Sequence, residues 1–290
     1  MSDQHDEKRK RTNVEGEVEW SFDFAQLGES LKNMANSLAG EEELTESSFQ
    51  VEKTGVQSAQ VKINFSAGKN IIEATEADSA YLLDAHLQHV GEVQLLDNGV
   101  ENKQITLKQV SKPRDLATPI KQGLRMVANN KAIEWRVKLS PDVPLSLDIN
   151  GGVGPSRIDL TGLTVRHLDC DAGVGQFIVI LPEQDDELDV DIDTGVGETK
   201  IYLPENVSAN LEIDAGVGSV DVTIPPNSAV QIRASSGIGS INVPSSLRKL
   251  EKKGDKTVWQ SEGFDLAERR IVIRYSGGIG AFFVREAELM

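Results

Sequence analysis

The sequence predicts an all-β chain wound as a parallel β-helix. Three observations carry this: a Gly-X-Gly turn that recurs six times, apolar columns of period two on either side of it, and prolines where many second strands stop. The turns are Gly152-Val153-Gly154, Gly173-Val174-Gly175, Gly195-Val196-Gly197, Gly216-Val217-Gly218, Gly237-Ile238-Gly239 and Gly278-Ile279-Gly280, giving steps of 21, 22, 21, 21 and 41 residues. A fixed period of this size marks a solenoid, in which each repeat buries its apolar face by stacking on its neighbour.

Aligned on the turn centre, the repeats show what they bury. Six positions before it stand Leu147, Leu168, Val190, Leu211, Ile232 and Ile273, and four before it Ile149, Cys170, Ile192, Ile213, Ala234 and Tyr275. Two before it only small residues occur, Gly151, Ala172, Thr194, Ala215, Ser236 and Gly277. This alternation is a strand with one buried face. After the turn the inward phase changes parity, to Phe177, Val179 and Leu181, to Thr199, Ile201 and Leu203, and to Val220, Val222 and Ile224. A corner does this, and its glycines supply torsions that a side chain obstructs. Leu181-Pro182, Leu203-Pro204, Ile224-Pro225 and Val243-Pro244 end second strands, because proline withholds a ladder donor. Coils of about 21 residues then stack at roughly 4.8 Å, with right-handed winding the favoured hand. A stack of antiparallel hairpins is the weaker alternative, since it would expose the central Val or Ile of every copy. The coil reading therefore expects that column to be covered, and Val196→Asp to unfold the central coils.

In chain order, residues 1–20 read as a disordered polar tail carrying Lys8-Arg9-Lys10-Arg11, and residues 21–40 as an amphipathic helix. Phe24, Leu27, Leu31, Met34 and Leu38 fall at steps of 3, 4, 3 and 4, a coiled-coil seam. Ser21 or Asp23 can cap its start and Gly40 its end. Residues 47–132 form a β-rich region and connector, either a degenerate start to the solenoid or a cap over its first coil. Residues 133–290 carry the repeats, with an insertion at 245–268 that accounts for the doubled last interval.

Composition limits function. The formal net charge of −16 repels nucleic acid. The single cysteine, Cys170, excludes an intrachain disulfide framework and sits in an apolar column as a structural thiol. No apolar run approaches the roughly 20 residues that span a bilayer, and Met1–Arg11 is polar with no hydrophobic core after it, unlike a secretory signal. The expected location is the cytoplasm or the periphery of the inner membrane.

The helix has three readings: a cap on the open end of the solenoid, self-association through its seam, and peripheral membrane contact through residues 8–40. Its Asp23, Glu29 and lone Lys32 make a poor basic face for lipid. On the outer faces, Asp148, Asp169, Asp191, Glu212, Arg233 and Arg274 stand five before each turn centre, and Asn150, Asp171, Asp193, Asp214, Ser235 and Ser276 three before it. Stacked carboxylates repel by on the order of 1 kcal/mol per pair in water. Hydrogen bonds from the turn amides offset this in the structural reading. In the functional one, Asp171, Asp193 and Asp214 hold a cation, with Ca²⁺ favoured by the all-oxygen ligands, although no calcium-loop signature is present.

Catalytic patterns are sparse. His5, His86, His89 and His167 are scattered, and the three-residue spacing of His86 and His89 places them on opposite faces of a strand. No dinucleotide fingerprint, P-loop or Gly-X-Ser-X-Gly elbow occurs. No cofactor is expected.

The segment Trp135 to Pro182, with Pro144-Leu145-Ser146-Leu147-Asp148-Ile149-Asn150-Gly151-Gly152-Val153-Gly154 leading to Ile158-Asp159-Leu160-Thr161-Gly162-Leu163, resembles the cell-wall-active-antibiotics-response family of LiaF-like bacterial proteins. Val56 to Leu96 is similar to the toast-rack domain on the N-terminal side of such proteins. The close, Trp259-Gln260-Ser261-Glu262-Gly263-Phe264 followed by Arg270-Ile271-Val272-Ile273, resembles the last coil of adhesin-like repeats. The resemblance implies a non-enzymatic bacterial module that senses or modulates envelope stress through a protein partner or self-association. The alternatives are a filament-forming structural protein and a carbohydrate-active β-helix enzyme or binding module. An aromatic content of 5% argues against a sugar-stacking cleft.

Overall fold

The computed structural model describes residues 44–110, 133–235 and 237–287. They form an all-β chain of nineteen strands, with one short 3-10 turn at Phe264–Leu266 and no α-helix among the described residues. The helix expected over 21–40 and the whole of the segment 111–132 lie outside them. The N-terminal part supplies β1 (Thr45–Glu52), β2 (Ser58–Asn64), β3 (Lys69–Ala74), β4 (Tyr81–His89), β5 (Glu92–Asn98), β6 (Asn102–Val110) and β7 (Glu134–Leu139). The repeats supply β8 (Leu145–Asn150), β9 (Ser156–Asp159), β10 (Val165–Asp171), β11 (Val174–Ile180), β12 (Leu188–Tyr202), β13 (Ala209–Ile224), β14 (Val230–Ser235) and β15 (Ile238–Asn242). A hairpin of β16 (Arg248–Lys253) and β17 (Lys256–Gln260) precedes β18 (Ile271–Ser276) and β19 (Ile279–Glu286). All join one sheet that turns back on itself in a solenoid-like form.

Pairing through the middle of the stack is parallel and in register. Leu147, Leu168, Val190 and Leu211 stand side by side on β8, β10, β12 and β13, and Phe177, Thr199 and Val220 do so beyond the turn. Both sets are buried, as the two-residue period requires. The N-terminal region extends the stack. Val61 pairs with Leu147 and Ile63 with Ile149, while β3 lies parallel to β9, so β2 and β3 are a coil with Ala67-Gly68 at its corner. Antiparallel strands close this end: β5 on β6 along one side, β4 on β7 and β1 on β4 along the other.

The other end departs from sequence order. The neighbour of β13 is not β14 but β18 and β19, through Leu211 beside Ile273 and Val217 beside Ile279. The pair β18 and β19 then carries β14 and β15. The last repeat is therefore inserted between the fourth and fifth. The doubled interval is the hairpin β16–β17, which packs antiparallel on β14, plus the return of the chain to fill the gap. Bulk is complementary there: Tyr275 lies beside Ala234, its ring stacked 4.0 Å from Phe282 inside the coil.

The corners need their glycines for two reasons. Gly218 has φ +137, and a Cβ on it would fall onto the carbonyl oxygen of Gly197 in the neighbouring coil. The turn-centre column corrects the sequence expectation: Val196 is 44% exposed, Ile279 50% and Ile238 73%, with Val153, Val174 and Val217 half-buried. Backbone fills the narrow corner, so the residue between the glycines is turned outward. Its exposure does not mean hairpins, since Val174, Val196, Val217 and Ile279 pair in parallel. A charge at Val196 therefore meets water and leaves the coils folded.

Candidate interaction surface

Strands β8, β10, β12 and β13 turn their polar residues outward on one face. Register places Asp148, Asp169, Asp191 and Glu212 in one row, and Asn150, Asp171, Asp193 and Asp214 in the next. The inserted coil then sets Arg274 beside Glu212, with Arg233 beyond it. Cations thus flank the acidic band at both ends, for Lys62 Nζ lies 2.5 Å from Asp148 Oδ2. Asn150 Nδ2 also donates to Asp148, at 2.7 Å.

The middle of the band is less compensated. Gly173 N–H donates to Asp171 Oδ1 at 3.3 Å, the turn-amide contact expected of the whole column. Between the next two corners it is Thr194 Oγ1 that accepts from Gly216 N–H of the neighbouring coil, at 3.0 Å. Burial, then the charges of Asp214 and Asp171, push the Asp193 carboxyl above its ordinary pKa. Among the described residues no group of three or more acid, His or Cys side chains converges as a metal site would. Beneath the band Cys170 is fully buried, and burial raises its thiol well above the usual value.

A second polar surface lies at the N-terminal end, where sequence reasoning found nothing. Cross-strand pairing of β1 with β4 sets Glu46 against Gln88, Ser48 against His86 and Gln50 against Asp84. Ser48 Oγ is 3.0 Å from His86 Nδ1, and His86 Nε2 is 3.4 Å from Asp84 Oδ1. Glu46, Ser48, His86 and Gln88 border a shallow groove of about 360 Å³ that also reaches Glu134 and Arg136. Burial disfavours ionised Glu134, but hydrogen bonds from Arg136 and Lys69 outweigh it and hold the carboxyl below its ordinary pKa. Ser48 and His86 are an exposed cross-strand pair, and Asp84 stands two residues from His86 on the same face of β4. Only the 38-residue separation of Ser48 and His86 hid it from sequence reading. His89 points the opposite way, buried against Ser47, and desolvation lowers its pKa.

The sequence profile of the N-terminal domain of toast_rack, DUF2154, matches residues 39–202, more than half of the chain. The chain belongs to the toast-rack family. The match spans both the β1–β7 region and the first three Gly-X-Gly coils. The fold of this toast-rack chain is also similar to that of a candidate cell adhesion protein from Clostridium sporogenes, with 18% identity, a TM-score of 0.56, and coverage of 84% of this chain and all of the other. A candidate adhesin from Bacteroides fragilis is more distant, at 14% identity and a TM-score of 0.38 over 84% of this chain and 98% of the other. No curated protein sequence matches the chain.

The seam residues Phe24, Leu27, Leu31, Met34 and Leu38 lie outside the described residues. Asp171, Asp193 and Asp214 are adjacent on neighbouring coils, as the repeat alignment expects. No helix among the described residues is long and apolar enough to cross a membrane.

Proposed function

We propose that this toast-rack chain is a non-catalytic scaffold, a right-handed parallel β-helix whose outer face binds a basic protein partner in the sensing or modulation of bacterial envelope stress. It works in the cytoplasm or at the inner-membrane periphery. The observation that carries this reading is the register of the acidic band. Asp169, Asp171, Asp191, Asp193, Glu212 and Asp214 face solvent on three adjacent coils at strand spacing. Like charges directly opposite one another cost stability, and a cationic partner recovers that cost on binding. Family membership and the shared fold of the candidate adhesion protein support a contact-making role.

The test is a photoreactive residue at Asp193, with Tyr202 on the second strand of the same coil as control, in the full chain inside bacterial cells. A discrete protein adduct at 193 that disappears when Asp169, Asp191 and Glu212 become lysine supports the reading. Equal or absent labelling at the two positions overturns it. If calcium alone protects the band, the ligand is a cation held by Asp171, Asp193 and Asp214 and the partner is dropped.

A further inference from the structure

The corner of the stack carries an apolar ladder: Val153, Val174, Val196, Val217, Ile279 and Ile238 in spatial order, each flanked by glycines. Its exposure is uneven: Val153, Val174 and Val217 are half-buried, whereas Val196, Ile279 and Ile238 are 44%, 50% and 73% exposed. Six β-branched rungs in one row, three exposed and three half-buried, form a contiguous apolar strip, and strips of this kind mark contact sites. Glycine on both sides leaves the strip without walls, so a cylinder can lie along it.

We propose that residues 21–40 of the same chain dock on this strip as an amphipathic helix. Length is the first argument. Five intervals at strand spacing make the ladder about 24 Å long, and Phe24 to Leu38 spans about 21 Å along a helix axis. Spacing is the second. The seam advances about 5 Å per apolar residue, at 3.5 residues of about 1.5 Å each, close to the rung interval of about 4.8 Å.

The third argument is where the described chain begins. Thr45 pairs with His89, Gln88 with Glu134, and Glu134 with Lys69, which directly follows the Gly68 corner. Thr45 thus stands at the corner end of the sheet, four strand spacings from β9, or about 19 Å. Seven residues from Leu38 to Thr45 reach at most about 24 Å. In the proposed docking the helix end at Leu38 can therefore reach Val153, with Phe24 towards Ile238. The inference does not depend on the partner of the acidic band. That band adjoins the strip, and the tail residues Lys8 to Arg11 supply the complementary charge.

Hydrogen exchange of the full chain tests this, with Val196→Asp plus Ile238→Asp on the ladder side and Leu31→Ser on the helix side. Amides of residues 24–38 are expected to be protected at least tenfold, unchanged on tenfold dilution, and to lose protection in both variants while the core amides do not. Leu31→Ser leaves every strand intact, so it reads the contact even if the ladder variant misfolds. Unprotected amides in the native chain overturn the proposal. Protection that vanishes on dilution assigns the segment to a second copy, and protection only with anionic vesicles assigns it to a membrane; either result also overturns docking on the chain's own corner.

Discussion

At the scale of single residues the inward columns were legible and the corner was not. Period-two alternation identifies Leu147, Ile149 and their counterparts as buried because a pleated strand has only two sides. No such rule governs a residue between two glycines, where backbone approach decides the direction. That approach gives a sharp prediction. Gly218→Ala adds a Cβ at φ +137 against the Gly197 carbonyl and is expected to cost at least about 2 kcal/mol in urea denaturation. Gly162→Ala, at φ +80 in open space, is expected to cost about 1 kcal/mol; equal losses would show that coil contact is irrelevant. The acidic band predicts a pH dependence. Asp193 has a raised pKa when folded, so its proton is held more tightly than in the unfolded chain. Its penalty is absent below the ordinary carboxylate range and grows as pH climbs through the raised value. Asp193→Asn should therefore raise Tm near about pH 7 and leave it unchanged near about pH 3, as a pair of melting curves will show.

Among the elements, strand positions could be read but neighbours could not. Prolines at 182, 204, 225 and 244 mark strand ends correctly, and each flanks a strand that stops within two residues. The insertion of β18 and β19 was invisible because the repeats share one pattern, and any coil can in principle stack on any other. Only bulk hints at it, with Tyr275 larger than its counterparts Ile149, Cys170, Ile192, Ile213 and Ala234. The consequence is mechanical: the C-terminal coil has a partner on both sides, whereas the charged edge strand β16, fully exposed with Arg248, Lys249, Lys252 and Lys253, discourages edge-to-edge growth. Deleting residues 269–290 should strip β13 and β14 of their common neighbour and uncover Leu211, Val220 and Ile232, beside which Ile273 and Phe282 stand. We expect loss of the cooperative melt and aggregation in light scattering; a soluble chain with an unchanged Tm would make this coil peripheral.

For the whole molecule, repeat period and column chemistry sufficed for the all-β solenoid character, since a fixed interval leaves few other ways to bury the columns. The N-terminal coil was left open between a degenerate start to the solenoid and a cap, because Ser66-Ala67-Gly68 lacks the first glycine of the repeat. The outer surfaces to which function is assigned exist only through coil-to-coil register, and the position of the last coil is the most demanding feature of that register. A short thiol-bridging reagent tests it on two double variants of the full chain. Glu212→Cys with Arg274→Cys places the sulfurs on adjacent strands, while Glu212→Cys with Arg233→Cys places them two strands apart, about 9.6 Å. The account predicts an intramolecular bridge in the first pair and none in the second, read by mass spectrometry; bridging of the second pair alone would mean that the coils stack in sequence order and that the surfaces described above are wrongly assembled.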